Sequence, residues 1–189
     1  MFRSVFVMHT LPFLFWFLSF VGLALLIDYL LHLLNLDWVG RYLGPAGTVL
    51  LIVSFIYSLR KRKIITTGSP KILLQFHEYM AWVGSVLILV HAGIHYNALV
   101  PWLAILAMLV AVAFGLIGKY VLKDATATLN LRIADLQSQG LNIAEVQKKL
   151  FFEALIVDNM RQWRKIHLPI AFVFMFFSLL HILAIIFFA

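Results

Sequence analysis

Residues Ile166 to Ala189 read IHLPIAFVFMFFSLLHILAIIFFA, twenty-four positions whose only ionisable side chains are His167 and His181. About 20 mostly apolar residues cross the ~30 Å hydrocarbon core of a bilayer as a helix, so this stretch is long enough to span one. Working outward, windows of the same kind recur at Met8 to Leu34, Trp38 to Leu59, Phe76 to Val100 and Trp102 to Leu122. The first runs well past the apolar region of a signal peptide and shows no small-residue cleavage site behind it, which predicts a retained helix. Composition agrees: 63% of the 189 residues are hydrophobic and 12% charged, where soluble domains carry about a quarter charged. The expected fold is an all-α integral membrane domain over residues 1–189, with five spans near 8–34, 38–59, 76–100, 102–122 and 166–189.

Lysine and arginine set the expected orientation. With the amino terminus inside, segments 1–7, 60–75 and 119–165 hold Arg3, Arg60, Lys61, Arg62, Lys63, Lys71, Lys119, Lys123, Arg132, Lys148, Lys149, Arg161, Arg164 and Lys165, which is fourteen of the fifteen basic residues. Only Arg41 falls outside, a strong positive-inside bias. It places the amino terminus in the cytoplasm and the carboxyl terminus outside, in a bacterial or archaeal cytoplasmic membrane. The net charge of +7 is then accounted for by topology and anionic headgroups, and no nucleic-acid partner is expected. Tyr42, Trp82, Tyr96, Trp102, Tyr120 and Trp163 fall mostly at the expected interfaces and read as an aromatic belt.

Between the fourth and fifth spans, residues 124–163 are polar but carry apolar residues at helical spacing: Leu129, Ile133 and Leu136 form one short stripe, and Val146, Leu150, Glu153 and Val157 lie near a second. Gly140 separates the two stripes, and Asn142 followed by Glu145 matches a capping box. Two amphipathic cytoplasmic helices are expected there, lying in the headgroups or docking a partner.

The chain has no cysteine and seven histidines. The absence of cysteine excludes disulfides, thiolate zinc sites, iron–sulfur ligation and thioether-attached haem. The histidines remain as nitrogen ligands, and four are patterned. His77 and His91 are fourteen residues apart on the third span, and His167 and His181 are fourteen apart on the fifth. Just under four helical turns separate the members of each pair, so they share one face and lie ~21 Å apart along the axis. Both spans are expected to run from inside to outside. His77 then meets His167 at one depth and His91 meets His181 at the other, giving an inner and an outer bis-imidazole site.

A haem iron with imidazole on both axial positions has no open site, which suits electron transfer rather than oxygen binding. Two haem b groups stacked across the bilayer divide its thickness into short hops. Ala81, Gly84, Ser85, Ala92 and Gly93 leave room beside the ligands either for a flat macrocycle or for close helix packing. Arg161, Arg164, Lys165, Lys71 and Gln75 gather where inner propionates would point, either as their contacts or as topology charges. His95, four residues after His91, is a candidate outer propionate contact, an alternative ligand or an interfacial residue. With His91, His32 and Asp28 it also permits a non-haem metal centre, although that reading leaves His77, His167 and His181 unused.

The doubled His, thirteen residues, His pattern of His77/His91 and His167/His181 resembles the transmembrane dihaem cytochromes b. It is most similar to the haem-binding membrane domain of ferric reductases and NADPH oxidases, whose ligands sit on the third and fifth helices and run outward from the cytoplasm. The resemblance covers roughly residues 40 to 189 and rests on spacing and topology. It implies a haem-binding bundle formed mainly by helices 2–5, with the four histidines as axial ligands. No glycine-rich dinucleotide fingerprint such as G-x-G-x-x-G is present, so electrons are expected from a separate protein or a membrane quinol.

Asp28 and His32, four apart on the first span, are a candidate proton or quinone site, or else headgroup-zone residues beside Asn35 and Asp37. The leading expectation is a dihaem electron carrier, a subunit of a larger redox complex with quinol/quinone as a candidate redox partner, and with no catalytic residue of its own. The alternatives are a membrane component of a metal or oxygen reductase fed by a separate flavoprotein, and a non-redox adaptor or proton-conducting transporter.

Overall fold

A computed structural model describes residues 2–94 and 98–188, and the side chains of all of these apart from 2–10, 94, 123, 124, 163 and 164. Among the described residues every regular element is helical: α1 (Phe2–Leu33), α2 (Asp37–Ser54), α3 (Ile56–Lys61), α4 (Pro70–Ile94), α5 (Leu99–Leu116), α6 (Leu122–Ser138), α7 (Ile143–Lys149) and α8 (Phe151–Phe188), with a π-helical turn at Ile117–Val121. Five stretches are long and apolar enough to cross a membrane: Leu11–Leu33, Asp37–Lys61, Pro70–Gly93, Leu99–Ser138 and Phe151–Phe188.

The helices outrun the apolar windows. α5 passes through the π turn straight into polar α6, and α8 begins at Phe151, well before the apolar run at Ile166. Hydropathy marks where apolar side chains stop. A helix stops only where its backbone hydrogen bonds are diverted, and nothing at residue 122 or 166 diverts them. Pro169 lies inside α8, whereas Pro70 opens α4 in the first-turn position where a missing N–H costs nothing.

Three helix ends carry clear stop signals; that of α3, at Lys63 (φ 60°), has the same bonds, Lys63 N–H to Arg60 and Ile64 N–H to Leu59, as the following two. After α1, Asn35 adopts φ 54°; its N–H donates to the His32 carbonyl, and Leu36 N–H donates to Leu31. After α6, Gly140 at φ 82° does the same, with bonds from Gly140 to Gln137 and from Leu141 to Leu136. All three are Schellman turns. The last is the break expected at Gly140, and the capping box beyond it is formed in both directions: Glu145 N–H to Asn142 Oδ1 at 2.9 Å and Asn142 N–H to Glu145 Oε2 at 3.1 Å.

The chain divides into two compact units, one of Met1–Phe17 with Leu106–Phe176 and the other of Leu18–Ile105 with Phe177–Ala189. In the first, both apolar stripes of the polar segment close on one core of Leu122, Leu129, Val146, Leu150 and Val157, joined by partly buried Ile133 and Leu136. Arg132 on α6 pairs with Glu153 on α8 across it. Trp16 stacks on Tyr120 in the π turn, with ring centres 5.9 Å apart.

In the second unit α2 and α4 lie almost backbone to backbone. A Cβ placed on Gly47 would come 2.6 Å from the Gly84 carbonyl oxygen, and one on Gly84 would come 2.9 Å from that of Gly47. Gly84, a candidate for macrocycle space, therefore serves close helix packing. Trp82, partly buried, packs edge to face against fully buried Phe20, with ring centres 6.1 Å apart.

Candidate functional site

Three of the four patterned histidines bond through Nδ1 to a backbone carbonyl of another helix. His77 donates to Ser54 at 3.1 Å, His91 to Gly40 at 2.9 Å and His167 to Ala111 at 2.9 Å. A carbonyl only accepts, so each Nδ1 carries the proton and each Nε2 keeps its lone pair. That is the tautomer a metal-ligating imidazole needs, held by the kind of bond that orients such ligands.

On two supporting helices a glycine one turn after the accepting carbonyl lies beside the ring, tightly at Gly44 and at ordinary contact distance at Gly115. Gly40 accepts from His91 and Gly44, one turn on, faces that ring; a Cβ there would sit 2.7 Å from Cδ2 and 2.9 Å from Nε2. Ala111 accepts from His167, and Gly115, again one turn on, has His167 Cε1 as its nearest neighbour, 3.7 Å from a built Cβ. Ser54 accepts from His77 as the last residue of α2, where the break at Phe55 leaves terminal carbonyls without helical partners. Tyr57 on α3 stacks against the His77 ring at 5.6 Å. The residues at 40, 44, 111 and 115 escaped sequence reading. The signal was present, since Gly40 and Gly44 form a G-x-x-x-G step in an apolar helix.

Within the second unit α4 and α8 bring His91 and His181 together, with ring centres 6.4 Å apart and planes inclined by 55°. Two imidazoles on opposite sides of one metal, each at a bond length of about 2.0 Å, place their ring centres about 6.3 Å apart. The observed separation is compatible with that requirement, and it also lies within the 4.5–7 Å range of ordinary aromatic contacts, such as Phe20–Trp82 at 6.1 Å. His77 belongs to this unit, on the same helix as His91, and His167 to the other; each is held in its own surroundings as described.

Of the expected propionate contacts, Lys71, Arg161 and Lys165 have exposed side chains, Lys71 in the first turn of α4 and the other two on α8. The Arg164 side chain and all of His95 lie outside the described residues. Among the described residues no three His, Asp or Glu side chains gather as a metal site, so the non-haem centre built on Asp28, His32 and His91 finds no such cluster there; a bis-imidazole site needs only two.

Asp28 and His32 do come together. His32 Nδ1 donates to the Asp28 carbonyl at 2.9 Å and lies 3.6 Å from Asp28 Oδ1, while its Nε2 lies 3.7 Å from Asp37 Oδ1. The turn at Asn35 is what returns Asp37 to His32. Comparison with protein families, with characterised proteins and with solved structures gives no match to this chain.

Proposed function

We propose that the chain is a transmembrane dihaem cytochrome b, holding one haem between His91 and His181 and a second between His77 and His167, and that it carries electrons across a membrane. The observation that carries the reading is the bonding of Nδ1 to a backbone carbonyl at His77, His91 and His167, which fixes the ligating tautomer on histidines of a doubled fourteen-residue spacing; the 6.4 Å separation of the His91 and His181 rings is compatible with it.

Bound in this way, haem supplies one-electron transfer with no coordination position for oxygen or substrate. The role of the chain's own residues is placement. Gly40, Ala111 and Ser54 hold the imidazoles by their carbonyls, and Gly44 leaves the His91 ring its space. Along α4 the two ligands stand ~21 Å apart, which divides a ~30 Å hydrocarbon barrier into shorter steps. Because both axial positions are filled, donor and acceptor are other molecules: partner subunits of a redox complex, or a membrane quinol.

Purified protein should show the reduced-minus-oxidised absorption bands of low-spin haem b and two haems per chain by haem extraction. A colourless preparation, which a non-redox adaptor or proton-conducting transporter would give, overturns the proposal.

A further inference from the structure

Asp28 presents a carboxylate oxygen, Oδ1, that is buried and has no hydrogen-bond partner among the described residues. It faces a cavity of about 70 Å³ lined by Val21, Ala24, Leu25, Asp28, Leu89 and Gly93, all within the second unit. Gly93 is required there, since a Cβ on it would come 2.9 Å from the carboxyl carbon and from Oδ1. Leu25 on the rim is 64% exposed, so the cavity opens to the surface of α1. Gly93 stands two residues from His91 on α4.

We propose that this cleft binds the hydroxyl edge of a hydroquinone and that Asp28 takes its proton. This rests on the dihaem reading for its electron acceptor, but not for binding. The lining selects the ligand class. A water needs 2–4 polar partners, and five of the six lining residues offer none by their side chains. An apolar ring bearing a hydroxyl gives one donor to the single polar side chain and sets carbon against the rest. Oxidation of one hydroquinone to its quinone breaks two O–H bonds and releases two electrons and two protons. A haem held by His91 and His181 would supply the one-electron acceptor, taking the two electrons one at a time. The protons pass in succession to Asp28 Oδ1, and the carboxyl group, on a side chain 23% exposed, gives each to solvent before it takes the next.

The test is calorimetric titration of decylubiquinol into the full-length, dithionite-reduced protein in detergent, where binding is read without turnover, alongside the visible spectrum. Saturable binding is expected, weakened about tenfold or more in Asp28→Asn, which removes a hydrogen bond to a charged group, and similarly in Gly93→Ala, which displaces the carboxylate by steric contact. The visible spectrum should be unchanged in both. Absence of saturable binding, or equal binding in wild type and both variants, overturns the cleft. Asp28-dependent binding to a protein without haem upholds the cleft and removes the electron-transfer reading, so the two failures are distinct.

Discussion

Gly44 and His91 occupy one space: a methyl group at position 44 would meet the imidazole at 2.7 Å, while the carbonyl one turn earlier, at Gly40, holds the same ring from Nδ1. One turn of α2 thus supplies both the hydrogen bond and the clearance, which couples the helix packing of α2 on α4 to the orientation of the His91 ring.

Gly44→Ala should therefore remove the haem at the His91–His181 site while sparing the other. Alanine is the better helix former by about 1 kcal/mol, so a loss cannot come from weakened helix propensity; it must come from displacement of the ring. Reduced-minus-oxidised spectra with haem quantification should fall from two haems per chain toward one. Unchanged spectra would show that the ring moves aside without cost.

His91→Ala and His77→Ala should each remove a different haem. The two positions stand ~21 Å apart along α4, so neither deletion should disturb the other site by contact. Redox titration of each variant should retain one component, and a different one in each. Equal loss of both haems in either variant would contradict separate sites.

The Asn142–Glu145 capping box satisfies two amides at the start of α7. Asn142→Ala should destabilise that turn by about 1 kcal/mol, which is roughly a fivefold gain in amide exchange rate for residues 143–146 by hydrogen-exchange mass spectrometry. The visible spectrum should not change. Exchange at the wild-type rate would mean that the core around Val146 holds the turn unaided.

Arg132 and Glu153 tie α6 to the first turns of α8 from partly buried positions, with side chains 32% and 17% exposed. A double-mutant cycle on Arg132→Ala and Glu153→Ala, read as exchange protection across α6, should return a coupling of about 1 kcal/mol that shrinks with added salt. Additive effects of the two substitutions would show that the pair is not coupled.

Much of this was legible along the chain. Five apolar windows imply five membrane-length helices, because burial in hydrocarbon demands continuous apolarity and an internally bonded backbone. Gly140 and the capping box were readable because they act through bonds spanning three to five residues. The continuation of the helices through residues 122 and 166 was not, since hydropathy reports the surroundings of side chains and says nothing about where the backbone ladder continues. Gly84 could be assigned to cofactor space or to packing until Gly47 was found against it.

By itself the sequence determined which residues are able to act: four histidines at a doubled fourteen-residue spacing, and an acid and a histidine one turn apart on α1, all set by helical periodicity. Tertiary structure decided what each one meets. The 6.4 Å approach of His91 to His181, the carbonyls of Gly40, Ser54 and Ala111 under three imidazoles, and the placing of Asp28 over Gly93 all join residues 23 or more positions apart. Such contacts depend on which helix faces pack together, and that is governed by side-chain volume summed over whole helices and not by any local pattern.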